Sequence, residues 1–142
     1  MEKNRKLLLK YLFLFLVGGA IYCVIELLFR GYTHPSMYIL GGLCFIVCGL
    51  FNEIFEWDTP LLIQMLLSSI AITDLEFITG IIVNLILHLN VWDYSNLPFN
   101  LLGQICLPFC IIWFFLSLIG IVLDDYLRYY FFNEEKPKYK LW

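Results

Sequence analysis

The sequence predicts an all-α integral membrane protein of four transmembrane helices, and three observations carry that reading. Hydrophobic residues make up 61% of the chain and charged residues only 15%, more apolar surface than a soluble domain of 142 residues can bury. Four apolar stretches, Leu7–Phe29, Met37–Phe51, Leu61–Leu89 and Leu101–Leu123, stand against the ~20 residues that cross a ~30 Å hydrocarbon core. Positive charge gathers at the two ends: Lys3, Arg5 and Lys6 precede the first stretch and Lys10 lies in its first turn, Arg128, Lys136, Lys138 and Lys140 follow the last, and only Arg30 lies between. Cytoplasmic segments collect Lys and Arg, and an even number of spans puts both ends on one side. The expectation is therefore one polytopic domain over residues 1–142 with both termini cytoplasmic.

The first span, 7–29, follows a basic start as a secretory signal would, but it is too long, and no small-x-small cleavage site ends it. Tyr22 before Cys23 also puts a bulky residue where a lipoprotein cleavage site wants a small one, so the helix is expected to be retained. The second span runs over 37–54 and places Glu53 in its last turn, near the interface. The loop at 52–59 holds Glu53, Glu56 and Asp58 and no base, which the positive-inside rule tolerates because acids weigh little in it. The fourth span is expected over 101–123, with Pro108 loosening it by removing a backbone donor.

The third stretch is the informative one, because Asp74 and Glu76 sit in its middle beside Thr73. A carboxylate in hydrocarbon costs ~2.5–3.5 kcal/mol on insertion scales, so it marks function or a specific structural need. Thr73-Asp74-Leu75-Glu76 fits the S/T-x-x-E capping box that opens a helix. A straight helix over 61–89 would be ~43 Å long at 1.5 Å per residue, well beyond the core. The favoured expectation is a break near Thr73: a half-helix at 61–72, re-entrant or along the interface, then a spanning helix at 74–90. The alternative is a single tilted helix whose carboxylates are buried by neighbours.

Helical spacing puts Ser69, Thr73, Glu76, Gly80, Asn84 and His88 on one polar stripe and leaves Asp74 off it. Glu76 is thus the better candidate for substrate binding, with Asn84 and His88 on the same face. If Thr73 caps a new helix, both acids instead complement its positive end, a purely structural use. A second polar layer is expected towards the opposite end from the termini. Glu26 lies one turn below Arg30, and Gln104 one turn below Asn100, while the loops add His34 and Trp92-Asp93-Tyr94-Ser95. Together these would form a polar pocket with Arg30 as an anion partner, since guanidinium suits carboxylate or phosphate bidentately. The competing reading is an intrahelical Glu26–Arg30 pair at i,i+4 that needs no ligand. Most exposed aromatics, Trp57, Trp92 and Tyr94 among them, read as interfacial anchors.

Cys44 with Cys48, and Cys106 with Cys110, are i,i+4 pairs at similar predicted depth. A four-thiolate site would be severely desolvated and lacks the usual C-x2-C spacing, so small packing residues are the expected role. No metal or other cofactor is expected. The sequence has no phosphate-binding G-x-x-x-x-G-K-[ST] loop, no nucleophile elbow, no metal-binding His pair and no basic nucleic-acid stripe.

Several ordered blocks carry a family resemblance: Glu26-Leu27-Leu28-Phe29-Arg30-Gly31-Tyr32-Thr33-His34, Gly41-Gly42-Leu43-Cys44-Phe45, Leu75-Glu76-Phe77-Ile78-Thr79-Gly80, Trp92-Asp93-Tyr94-Ser95 and Asn100-Leu101-Leu102-Gly103-Gln104-Ile105-Cys106. Over roughly residues 15 to 125 the chain resembles the bacterial family labelled Putative ABC-transporter type IV. The resemblance implies a protein of the bacterial cytoplasmic membrane, in contact with the lipid bilayer, any ATP use coming from a separate nucleotide-binding subunit. It transfers no catalytic residue. The expected function is a permease or permease subunit, as a homo-oligomer because four helices enclose little volume. A non-catalytic assembly partner, or an enzyme acting on a lipid head group through Glu26, Arg30, His34 and Asp93, are the alternatives, the enzyme being disfavoured by the missing motifs.

Overall fold

A computed structural model describes all residues, 1–142, and forms four long helices. All four are long and apolar enough to cross a membrane. Helix α1 (Glu2–Arg30) ends at Gly31, whose φ of 79° lets its N–H turn back onto the Leu27 carbonyl. Helix α2 (Pro35–Ile54) returns antiparallel, with Pro35 in its first turn and His34 as its N-cap. Helix α3 (Leu61–Gly80) continues through a wider π-wound segment, Ile81–Ile86. A two-stranded hairpin, β1 (Asn100–Leu101) and β2 (Ile105–Cys106), leads into α4 (Leu107–Phe132), and Asn133 ends that helix in the left-handed conformation.

The predicted break in the third segment is not formed: α3 runs through Thr73 without interruption. A continuous helix keeps every backbone N–H paired inside the layer, whereas a capped restart at mid-depth would leave several carbonyls of the first half unsatisfied. No Gly or Pro lies between Leu61 and Thr79 to force such a break. Thr73 instead shares a hydrogen bond with Cys110 Sγ at 3.2 Å, tying α3 to α4. The irregularity sits later, in the π turn at 81–86, a winding found mostly where function or strain demands it. The fourth helix also differs from expectation, starting at Leu107 rather than 101. Leu102 and Gly103 take positive φ, 55° and 73°, and turn the hairpin, while Pro108 occupies the first turn of α4 instead of kinking its interior.

Helix α2 is the central member, packing on α1, α3 and α4, while α1 rests mainly on α2 and barely meets α4. The α1–α2 contact is a reciprocal interlock of small and large residues. Phe45 and Tyr38 of α2 fill the space a side chain would need at Gly18 and Gly19, and Tyr22 and Phe15 of α1 do the same at Gly41 and Gly42. Close approach of this kind is what drives helix association where lipid removes the hydrophobic term. The C-terminal tail folds back onto the bundle: Lys140 and Leu141 carbonyls accept the orphan N–H groups of Leu61 (2.6 Å) and Leu62 (3.2 Å), serving as a backbone cap for α3.

Candidate functional site

Polar side chains gather in two layers, one towards each end of the bundle. In the layer nearer the long 87–106 loop, Glu76 is 2% exposed and its two oxygens are divided between two donors. Tyr94 Oη donates to Oε2 at 2.9 Å and Trp113 Nε1 to Oε1 at 3.2 Å, so the carboxylate joins α3 to the loop and to α4. Tyr94 stacks on Phe109 with ring centres 4.6 Å apart, and Phe109 leans on Trp113, enclosing Glu76 in aromatic walls. Burial first, and then the Glu76 carboxylate, hold the Tyr94 phenol well above its ordinary range, which keeps it protonated as the donor.

Asn84 and Gln104 form the next step. Asn84 Nδ2 donates to Gln104 Oε1 at 2.8 Å, while Asn84 Oδ1 accepts the Val91 N–H at 2.7 Å. Trp92 Nε1 donates to the Gln104 carbonyl at 3.0 Å. A side chain at Gly80 would meet Gln104 Oε1 at 2.6 Å, so the missing Cβ is what lets the hairpin seat against α3. Trp92 and Tyr94, expected as interfacial anchors, are structural members of this layer: Trp92 is buried and Tyr94 is turned inward to Glu76. Gln104 is present as predicted, but it arrives on a hairpin rather than one helical turn below Asn100.

Of the remaining predicted residues, Glu26 and Arg30 are brought together and the others are not. Arg30 Nη1 lies 2.9 Å from Glu26 Oε2. The same guanidinium donates to Tyr32 Oη at 2.7 Å and to the Val91 carbonyl at 2.5 Å, locking α1 to the loop. His34 uses its ring to cap α2, accepting the Ser36 N–H at 3.1 Å. Asp93 is exposed and accepts the Ser95 N–H at 2.9 Å, which holds its carboxyl below the usual carboxylate range. His88 leaves the polar stripe altogether. The π turn ends before it, its φ is 54°, and the side chain is exposed. Cys106 and Cys110 are not a helical pair either, since Cys106 belongs to β2 and only Cys110 lies within α4.

The layer at the end that carries both termini is an ionic node centred on Arg128, which is 3% exposed. Its Nε donates to Asp124 at 2.7 Å, Nη1 to Glu134 at 2.9 Å, and Nη2 to the Gly49 carbonyl at 3.1 Å and to Asp125. Asn52 donates to Asp125 on one side and Tyr139 Oη donates to it at 2.8 Å on the other. Lys10 of α1 pairs with Glu53 and lies 3.3 Å from Glu134. Three helices and the tail thus meet at one charge cluster, in which four carboxylates (Glu53, Asp124, Asp125, Glu134) face two cations (Lys10, Arg128). Asn52 Oδ1 and Asp124 Oδ2 are buried there without a partner in the chain. A cleft of about 250 Å³ opens beside the node, lined by Asn52, Glu53, Trp57, Asp125, Arg128 and the Glu134-Glu135 pair.

The Putative ABC-transporter type IV family matches the chain over residues 13–140. The chain belongs to this family. No curated protein and no solved structure matches it. Membership makes it an ABC-transporter-related membrane protein and agrees with the resemblance read from the ordered blocks.

Within this family member, sequence reading missed the Arg128 node entirely. Sequence reasoning treats Lys10 and Arg128 as flanking charges and ends the fourth span at 123, short of Asp124 and Asp125. A signal was available: Asp124 and Asp125 stand four and three residues before Arg128, the spacing that puts all three on one helix face.

Proposed function

We propose that the chain is the permease, or a permease subunit, of an ABC-type transporter in the bacterial cytoplasmic membrane, working with a separate nucleotide-binding subunit. The observation that carries this reading is family membership over residues 13–140 in a chain that has no phosphate-binding loop of its own. The basic ends favour cytoplasmic termini, which puts the Arg128 node on the side where ATP is hydrolysed.

Glu76 is the residue we assign to solute handling. Its two donors come from a loop (Tyr94) and from α4 (Trp113), so a polar solute reaching Glu76 from the loop side would displace Tyr94 and release the loop. Asn84 and Gln104 would extend that contact, and Glu26 with Arg30 would hold the neighbouring wall. His34, His88 and Asp93 stand outside the buried network. Glu76, Asn84 and Gln104 are engaged within the chain, and four helices enclose little volume, which favours a pathway formed between copies or between subunits.

Uptake into proteoliposomes holding the chain with its co-purifying partners tests the assignment. Glu76→Gln, with folding intact, is expected to abolish uptake, and unchanged uptake removes Glu76 from the mechanism. A second reading, an assembly protein with no solute, is favoured by the pairing of both Glu76 oxygens inside the chain. Mass spectrometry of the protein purified in native lipid separates the two: a bound nucleotide-binding subunit supports the transporter.

A further inference from the structure

Asp74 is the one polar residue that the fold turns outward along α3. Every fourth residue from Leu62 to Ile86 is exposed, and each of these except Asp74 is Leu or Ile. The apolar helix runs over the 26 residues Leu61–Ile86, so at 1.5 Å per residue Asp74 stands about 19 Å from either end, at the bilayer midplane. It lies in a groove of about 460 Å³ between α3 and α4, walled by Leu66, Ile70, Ile111 and Phe114. The other polar groups of the groove are already engaged: Ser69 donates to the Cys110 carbonyl at 2.6 Å, and Thr73 shares its bond with Cys110 Sγ. The Asp74 carboxylate takes part in none of the chain's ion pairs or side-chain hydrogen bonds.

A carboxylate facing lipid at this depth is among the most unfavourable placements available to a membrane protein, and such residues pair with something. We propose that the groove receives a transmembrane helix of a different protein that carries a lysine or arginine at its midpoint, paired with Asp74. Charge complementarity selects that occupant over the others. Lipid head groups lie half a core thickness away, ~15 Å, and leave Asp74 among acyl chains. A second copy has nothing to offer, because every exposed residue of residues 12–24, 39–50 and 111–123 is apolar. It brings only another Asp74 at the same depth, and two adjacent carboxylates disfavour each other's charge. The row of Leu and Ile at every fourth position is a packing ridge for a helix, and the single acid at its centre fixes the register.

The test uses the full chain in phosphatidylcholine vesicles, with a photo-reactive residue replacing Leu66 on the groove wall. The probe is a synthetic poly-leucine span with one mid-span lysine, compared with the all-leucine span. Adduct yield is expected to be about 3- to 18-fold higher with the lysine span, the range that single interhelical hydrogen bonds produce in membranes. Asp74→Leu removes the difference, and since it swaps an exposed acid for an apolar residue it leaves the internal packing intact. Asp74→Lys restores the adduct with a span bearing a mid-span glutamate. Equal yields for the lysine and all-leucine spans overturn the proposal. So do chain-to-chain adducts that persist in Asp74→Leu, or that depend on Asp74 and thereby put a second copy in the groove.

Discussion

Gly49→Ala is the sharpest probe of the Arg128 node. A Cβ at Gly49 would land on the Asp124 carboxylate, which is held from behind by Arg128 and cannot swing into open space. The substitution therefore drives Asp124 from the 2.7 Å bond with Nε and strains the 3.1 Å bond from Nη2 to the Gly49 carbonyl. Breaking a buried ion pair by losing one partner costs about 3–5 kcal/mol. Arg128 keeps Asp125, Glu53 and Glu134 as partners, and alanine returns about 1 kcal/mol of helix propensity, so a net loss near 2–3 kcal/mol is expected. Gly120→Ala is the matched control: its nearest neighbours would be Cys48 Sγ at 3.7 Å and Cys48 Cβ at 3.8 Å, ordinary contacts. It should be neutral or stabilising by up to about 1 kcal/mol. Unfolding in mixed micelles, followed by the fluorescence of the four tryptophans, reads both variants. In an Asp124→Ala background the Gly49→Ala cost should largely vanish. A cost that is unchanged there, or a Gly49→Ala variant within about 0.5 kcal/mol of the parent, refutes a node built on contact between these residues.

Other outcomes follow from the opposite layer. Glu76→Leu orphans the Tyr94 hydroxyl and the Trp113 N–H and should cost roughly 2–3 kcal/mol, whereas Glu76→Gln retains an acceptor and should cost about 1 kcal/mol or less, both read in the same unfolding assay. Gln104→Leu leaves Asn84 Nδ2 without its acceptor and should destabilise by about 1–3 kcal/mol, with faster amide exchange at Val91 as the hairpin loosens. Asp93 has its folded pKa depressed by the Ser95 N–H, so its contribution is present above the ordinary carboxylate pKa and is lost as pH falls through the lowered value. Amide exchange at Ser95, corrected for intrinsic pH dependence, should therefore accelerate only at the acid end, and Asp93→Asn should abolish that change.

Composition, run length and the placing of charge were enough to read four apolar helices, because an unbroken apolar run of about 20 residues satisfies its backbone in lipid within one helix, without alternating faces or neighbouring strands. Spacing alone also separated Glu76 from Asp74, since the two differ by about 200° around a helix, and the structure keeps one inside and the other out. Local motifs misled where tertiary contacts overrode them. The box at Thr73 is matched by sequence, but an unbroken ladder of backbone hydrogen bonds outweighs one side-chain cap. His88 follows the stripe on paper, but the π turn shifts the register before reaching it. The start of α4 is not legible because the short apolar pairs Leu101-Leu102 and Ile105-Cys106 look alike in a strand and a helix, and only the positive φ angles at Leu102 and Gly103 reveal the hairpin.

By itself, then, the sequence determined the solvent this protein folds in, the number of its helices and the inward face of α3, since these follow from hydropathy and period. Tertiary structure decided what the charges do. Whether Arg128 is a flank or the centre of a node, and whether Tyr94 anchors in the interface or bonds Glu76, depends on segments far apart in the chain meeting at one depth. Pairing partners are long-range facts, and no local pattern encodes them.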